Sequence, residues 1–455
     1  MTQAGFFGLF EAMKQKLIIL VILVGIFFFG EIAITFSDRG NSFIVEDEEV
    51  AFSLKLENAQ SDFPSLEIID RRVEHFMNHW DITGASVAIT KDENLVYTKG
   101  FGSAVEESGE SVKPGHLFRI ASVSKLVTAV AIMKLYENGN LSLDEKVFGK
   151  DGIIYRNGFH EYKDKRVEQI EVQHLLNHTA GWSRRAGDPM FNSLYIARKM
   201  DVPPPASVDQ IIQFTLSRKL HYEPGQRYSY SNLGYAILGK IIEVKSGMPY
   251  EDYVMMNILK PVGIHDMHIG RSYVHEKYPN EVNYYTAGIS RKVYDFSGSG
   301  KYVPIHYGGN PIELLGAAGG WIASSPELIK LLTALDGFPE QPDILKPETL
   351  TMMTNPNLSG RGLFGWRGSD KQGTWWRTGY FNGTTALLVR QADGINWVIL
   401  LNTSTYKKSR IHRYLSAMMF ESVNRVNQWP DRDLFFVDRY ESNSILTMLA
   451  KNPKL

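Results

Sequence analysis

The sequence predicts an α+β fold in which one antiparallel sheet is assembled from both ends of a domain and split by a mostly helical insertion. Residues 84–90 and 95–101 are strand-like runs joined by Lys91-Asp92-Glu93-Asn94, which reads as a hairpin. Residues 374–379, 384–390 and 397–401 read as successive strands, with Asp393-Gly394 turning the last pair. The connecting turns are too short for parallel crossovers, and the pattern between the two groups is mostly helical.

Length and composition fit this. The chain has 455 residues, enough for one large or two medium domains, with 44% hydrophobic and 22% charged residues. A net charge of -1 argues against a nucleic-acid partner held by a basic face. The absence of cysteine excludes disulfides, thiolate metal sites and cysteine nucleophiles.

Taken in order, Lys14 and Lys16 precede an apolar run over 17–30, interrupted by Glu31 and resumed over 32–36. Positive charge ahead of an apolar segment reads as an export signal, and counting to Phe36 gives about 20 residues, the length of a spanning helix. No small-x-small cleavage site follows. Residues 1–36 are therefore expected to be an uncleaved signal anchor, with a cleaved signal peptide as the alternative and the domain outside the cytoplasm. Residues 37–63, with the acidic run Glu46-Asp47-Glu48-Glu49, read as a polar linker holding a short strand near 50–56.

The expected domain spans 64–428, with its sheet part at about 64–120 and 340–428 and its helical part at about 121–339. Pro64 opens a helix whose Leu66, Ile69, Val73, Phe76, Met77 and Trp80 follow the helical period. His75 and His79 lie one turn apart on it, but a usable metal site needs three or four ligands, so they read as helix-face residues. A long helix-forming stretch covers 118–133 and stops near Asn138-Gly139-Asn140. Residues 170–176 resume a helical pattern, and His174 and His178 read as parts of a structural turn. Residues 183–220 are loop-rich, broken by Pro203-Pro204-Pro205. Pro224-Gly225 is a turn signal, and a helix over 233–244 ends at Ser246-Gly247. Gly316-Ala317-Ala318-Gly319-Gly320 permits close backbone packing ahead of a helix over 326–335. A helix over 410–423 completes the domain, and 429–455 is a tail without an evident role.

The chemistry centres on Ser122 and Lys125. Between Arg119 and Lys134, Lys125 is the single charge, and its helical neighbours are Ala121, Ser122, Thr128 and Ala129. A lysine on that small, apolar face is buried, and burial lowers its pKa toward that of a base. Ser122 sits one turn earlier, where a helix begins with free N–H groups. A hydroxyl beside a desolvated lysine is the Ser-x-x-Lys nucleophile pattern. Ser122 as a helix cap, with Lys125 reaching along the surface to water, is the other reading, and this stretch alone leaves both open.

Ser-x-x-Lys recurs at Ser404 to Lys407, and Tyr-x-Asn recurs at Tyr155 and Tyr380. Only Ser122 and Lys125 start a long apolar helix, and only Tyr230 and Asn232 stand between a Pro-Gly turn and a helix. Ser-x-x-Lys, then Tyr-x-Asn, then the basic-Thr-Gly of Arg377-Thr378-Gly379 form a strong joint signal.

With these motifs the sequence resembles the serine β-lactamase and penicillin-binding-protein superfamily. The resemblance is greatest to the branch of class C β-lactamases, D,D-carboxypeptidases, D-aminopeptidases and related esterases. It covers roughly 64–423 and extends to residues 174–181, Glu223-Pro224-Gly225, residues 250–263 and Ala318-Gly319-Gly320. It implies a β-lactamase-like fold, no cofactor, and a small peptide, amide or ester substrate. By resemblance, Ser122 is the acylated nucleophile and Lys125 its proton acceptor or electrostatic partner. Tyr230 is the proton-shuttling phenol, and Asn232 orients the substrate amide and Lys125. Arg377, Thr378 and Gly379 bind substrate, and the backbone N–H groups of Ser122 and Tyr380 form the oxyanion hole.

The third motif departs from the family's pattern, which begins with Lys or His. Arg377 keeps the charge and fits a bidentate clamp on a substrate carboxylate, but it cannot donate a proton. No counterpart of the deacylating acid of class A enzymes is recognisable, which points to tyrosine-assisted hydrolysis. The expected function is an exported serine hydrolase, peptidase- or esterase-like rather than an efficient β-lactamase. The competing reading is a membrane-anchored penicillin-binding sensor that acylates slowly or not at all.

Overall fold

The computed structural model describes residues 50–356 and 362–436. The chain divides into two units, Met1–Val50 and Ala51–Leu455, and the fold below is that of the second. The expected anchor at 1–36 and the acidic run lie outside the described residues, as do residues 437–455 of the tail. Among the described residues no helix is long and apolar enough to cross a membrane.

Helix α1 (Glu67–Trp80) leads into β1 (Gly84–Lys91) and β2 (Asn94–Val105), with β3 (Glu110–Ser111) and β4 (Phe118–Arg119) following. The hairpin turns at Asp92 and Glu93, both at positive φ. Helix α2 (Ser124–Glu137) comes next. The central segment contributes α3 (Ser193–Met200), α4 (Val208–Leu216), α5 (Asn232–Ser246), β5 (Met267–Ile269), α6 (Ile312–Gly319), β6 (Trp321–Ala323) and α7 (Ser325–Thr333). The chain then forms β7 (Gly368–Ser369), β8 (Trp375–Phe381), β9 (Thr384–Arg390), β10 (Ile395–Leu401) and α8 (Ile411–Val423).

The main sheet has seven antiparallel strands in the order β7-β8-β9-β10-β1-β2-β3. Its seam is β1 against β10, registered from Ala85 opposite Leu401 to Lys91 opposite Ile395, so both ends of the domain do meet in one sheet. Both faces are covered, which explains why β9 and β10 are buried at every position rather than alternating. Val87, Ile89, Leu387, Val389, Ile399 and Leu401 pack beneath α1 and α8. Ala88, Ala386, Leu388, Val398 and Leu400 face the opposite layer, which includes α2 and α7. Buried on all sides, α2 is the central helix of that layer. The fold is thus α+β, with one antiparallel sheet built from both ends of the domain, as the sequence leads one to expect.

Several local expectations are corrected. Residues 118–119 are strand rather than helix, because β4 pairs with β6 (Phe118 opposite Ala323). A 3-10 turn at Ala121–Val123 then precedes α2. Residues 183–220 are not mainly loop: α3 and α4 lie there, α4 being capped by Ser207 Oγ accepting from the Gln210 N–H at 3.2 Å. The expected strand near 50–56 is a 3-10 turn, Phe52–Lys55. From Ala51 onward the expected linker packs onto the domain, with Ser61 Oγ donating to the Thr98 carbonyl at 2.6 Å and Asn58 Nδ2 to Gly100 at 3.1 Å. The first residues of the tail also pack, Leu434 being buried and Asp433 accepting from the Leu95 N–H at 3.0 Å. Helix α7, expected in the helical part, lies against β1 and β10.

Candidate active site

The turn that carries Ser122 is held from three sides. The Ile120 N–H donates to the Trp321 carbonyl at 3.0 Å, and Thr384 Oγ1 donates to the Arg119 carbonyl at 2.6 Å. Ser124 Oγ donates to the Ala121 carbonyl at 2.7 Å and accepts from the Trp321 N–H at 3.1 Å. These bonds hold Ala121 at φ +48, a conformation that a non-glycine residue adopts only when its surroundings impose it. Ser122 is thereby presented to the cleft at the start of α2.

Lys125 is 0% exposed, which excludes the reading in which it reaches water along the surface. Its Nζ donates to Asn232 Oδ1 at 2.6 Å and to the Ala318 carbonyl in the segment that closes α6. Burial holds its pKa below the usual value, opposed by the charge of Tyr230 and reinforced by that of Arg377. Asn232 Nδ2 donates in turn to Asp188 Oδ2 at 2.6 Å. The Asn232 amide is thus engaged at both ends, its oxygen by Lys125 and its nitrogen by Asp188, at a position 8% exposed.

The hydrogen-bond partner of Ser122 Oγ is Tyr230, whose Oη lies 2.8 Å away. Burial alone pushes the Tyr230 phenol up. The charges of Lys125 and Arg377, with hydrogen bonds to Lys125 and Ser122, outweigh it and bring the pKa down to about 8. Lys125 Nζ lies 5.0 Å from the centre of the Tyr230 ring. Ser231 fixes the tyrosine's place in the chain by capping α5, its Oγ accepting from the Gly234 N–H at 3.0 Å.

The third motif lies on β8, beside the Ser122 turn, but its first residue does not face outward as a clamp. Arg377 is 1% exposed, and its Nε donates to the Ser122 carbonyl at 2.7 Å, so the guanidinium supports the nucleophile from behind. Alternation along β8 explains this: Arg377, Gly379 and Phe381 are buried, whereas Trp376, Thr378 and Tyr380 are half-buried, although Arg377 still reaches the cleft wall beside them. Gly379 is a packing residue, since a Cβ there would lie 2.1 Å from the Ile120 carbonyl oxygen.

Three residues of the site carry no motif of their own. Asp188 fixes Asn232, and its place is set by the 3-10 turn it caps, accepting from the Met190 N–H at 3.1 Å. His178, at φ +60, packs against Tyr230 with ring centres 4.6 Å apart, and its Nδ1 accepts from the Ser231 N–H at 3.2 Å. Burial, with the charges of Lys125 and Arg377, keeps His178 neutral. It is a structural residue as expected, but one that forms the wall behind Tyr230. His412, near the start of α8, places Nε2 3.0 Å from the Gly379 carbonyl oxygen and Nδ1 2.8 Å from that of Ser409. The sequence places residues 177–182 and 222–232 in organised stretches, but it gives no sign of Asp188 or His412. His75 and His79 lie on α1 beside a separate groove.

The cleft in front of Ser122 has a volume of about 810 Å³ and is lined by Tyr230, Trp376, Thr378, Tyr380 and His412 among others. A hydroxyl held to a low-pKa phenol, with a buried lysine behind it, can attack an electrophilic carbonyl and pass its proton to the phenol.

A family model described as Beta-lactamase matches residues 69–417, more than half of the chain. A penicillin-binding protein of Bacillus subtilis (strain 168) is 32% identical over 212 residues, which are 46% of this chain and 42% of that protein. The chain therefore spans less than half the length of the curated relatives it matches. The octameric penicillin-binding protein homologue from Pyrococcus abyssi is a structural match with a TM-score of 0.59 and 26% identity, over 78% of this chain and 77% of that one. D-amino acid amidase from Ochrobactrum anthropi SV3 matches with a TM-score of 0.60 and 20% identity, over 80% of this chain and 100% of that one.

Proposed function

The chain belongs to the Beta-lactamase family, and from that premise we propose that it is a serine hydrolase that cleaves an amide or ester through an acyl-Ser122 intermediate. The observation that carries this reading is the 2.8 Å hydrogen bond between Ser122 Oγ and Tyr230 Oη, with the phenol pKa brought down to about 8. Tyr230 takes the Ser122 proton as Oγ attacks the carbonyl carbon, and the negative oxygen is received by the backbone N–H groups of Ser122 and Tyr380. The same proton passes from Tyr230 to the departing amine or alcohol. Water then attacks the acyl carbon, again giving its proton to Tyr230, and Ser122 recovers a proton as the acid product leaves. Lys125, donating to Asn232 and Ala318, acts as the electrostatic partner that keeps the phenol acidic.

Arg377 is almost wholly buried and its Nε is taken up by the Ser122 carbonyl, which weakens it as a clamp on a substrate carboxylate. This favours peptidase or esterase activity over efficient β-lactam hydrolysis. The sequence over 17–36 supports export and retention at a membrane, with the hydrolase domain on the outer side.

A fluorescent penicillin and a p-nitrophenyl ester test the reading on the full chain. The expected result is steady ester turnover that falls about a thousandfold or more in Ser122→Ala. Labelling that stops at one equivalent would identify a slowly acylating sensor instead. Equal turnover in both proteins would remove Ser122 from the chemistry.

A further inference from the structure

The chain is balanced in charge, with 49 lysines and arginines against 50 aspartates and glutamates, but the cleft in front of Ser122 is not. Arg184, Arg185, Arg227 and Arg367 line it and are exposed, and among the described lining residues there is no aspartate or glutamate. Some arginines outside the cleft meet carboxylates: Arg71 meets Glu67 at 3.2 Å, and Arg166 meets Asp164 at 2.6 Å and Glu223 at 2.8 Å. None of the four cleft arginines has an ion-pair partner among the described residues.

Two of them rest on aromatic rings instead. The Arg227 guanidinium lies 4.7 Å from the centre of the Tyr222 ring, and that of Arg184 lies 5.6 Å from Tyr230, the phenol bonded to Ser122. The four approach from two sides. Arg184 and Arg185 stand on the 3-10 turn Arg184–Ala186 and Arg227 in the loop before Tyr230, whereas Arg367 directly precedes β7 on the sheet side. Like charges gathered in one concavity repel one another, and a concavity of one sign concentrates ligands of the other. Guanidinium groups match planar oxyanions bidentately.

We propose that the substrate of this site is anionic and presents carboxylate or phosphoryl oxygens to Arg184, Arg227 and Arg367 while its amide or ester bond lies at Ser122. The cleavage rests on the hydrolase reading above, but the anion binding does not.

Two esters of equal acyl length test it on the full chain: p-nitrophenyl hexanoate, ending in a methyl group, and mono-p-nitrophenyl adipate, ending in a carboxylate. The adipate ester is expected to have at least about a tenfold higher kcat/KM at low ionic strength, a preference that shrinks toward parity in about 0.5 M NaCl. The Arg184→Gln/Arg227→Gln double variant is expected to cut that preference at least about fivefold. Equal kcat/KM for the two esters, with both reactions lost in Ser122→Ala, overturns the anionic substrate and leaves the hydrolase reading standing. If neither ester reacts, calorimetry with adipate and with inorganic phosphate decides. Binding of either one, weakened in the double variant, upholds the anion site without the hydrolase and tells carboxylate from phosphoryl. No binding of either overturns it.

Discussion

Tyr230 is where single-residue physics decides the chemistry. An isolated phenol at the edge of a protein is a poor base at neutral pH, and burial alone makes it poorer. Here Lys125 and Arg377 reverse that, and the pKa falls to about 8. The deprotonated form is the one that accepts the Ser122 proton, so kcat/KM should rise with pH and level off above about 8. Replacing Tyr230 by Phe removes the acceptor. A pH–rate series on the ester substrate should show a loss of about a hundredfold to ten-thousandfold together with loss of the limb near pH 8. A Tyr230→Phe enzyme that retains that limb would place the titrating base elsewhere.

At the scale of elements, the site is a junction of two. The turn before α2 lies against β8 so closely that a side chain at 379 cannot fit: its first carbon would stand 2.1 Å from the Ile120 carbonyl oxygen. Both contacting groups are backbone-bound, so neither can swing aside as a flexible side chain does. Gly379→Ala should therefore cost about 1–3 kcal/mol of stability and move the Ser122 turn away from β8. The expected readout is a lowered thermal midpoint together with loss of turnover out of proportion to the protein that unfolds at the assay temperature. Unaltered turnover in a fully folded Gly379→Ala protein would show that the junction tolerates separation. The neighbouring α5 contributes differently, since its Ser231 cap fixes where Tyr230 and Asn232 leave the loop.

For the molecule as a whole, buried acids that do not line the cleft contribute to the pH dependence of folding. Glu327 on α7 is buried beneath the N-terminal segment, where Ser53 Oγ donates to its Oε1 at 3.2 Å and its Oε2 has no hydrogen-bond partner among the described residues. Burial, with the nearby charge of Asp266, raises its pKa to about 8. A raised carboxyl keeps its proton in the folded state while the unfolded chain releases it above about pH 4.5, so stability falls as pH climbs from there to about 8. Glu327→Gln removes that slope, because the amide carries no proton to lose. Urea unfolding should show little difference between variant and wild type near pH 4, and a gain for the variant on the order of a few kcal/mol near pH 9. An unchanged slope would mean that Glu327 is ionised inside the fold. Asp336, raised to about 7 chiefly by burial, adds a slope of its own and serves as the internal comparison.

Much of this architecture is legible in the amino-acid sequence. Strand-like runs and turn chemistry at 84–101 and 374–401 are local properties, so the sequence alone determined that hairpins at the two ends of the domain are antiparallel strands. The same holds for α1, α5 and α8, whose apolar periods and end signals are written into consecutive residues. It also determined that Ser122, Lys125, Tyr230 and Asn232 stand in special settings, because a lone charge in an apolar helix and a polar pair between a turn and a helix are visible in one dimension. Helices α3 and α4 were hidden, being short and set among prolines that weaken the periodic signal. Only the tertiary structure decided that Tyr230, rather than Lys125, is the partner of Ser122 Oγ. Only it decided that Arg377 supports the nucleophile from behind, and that Asp188 and His412 belong to the site. The reason is one of distance along the chain: these contacts join residues 33 to 255 positions apart. Which way a side chain on β8 points, inward to Ser122 or outward to the cleft, depends on the register of the whole sheet and not on the residue itself.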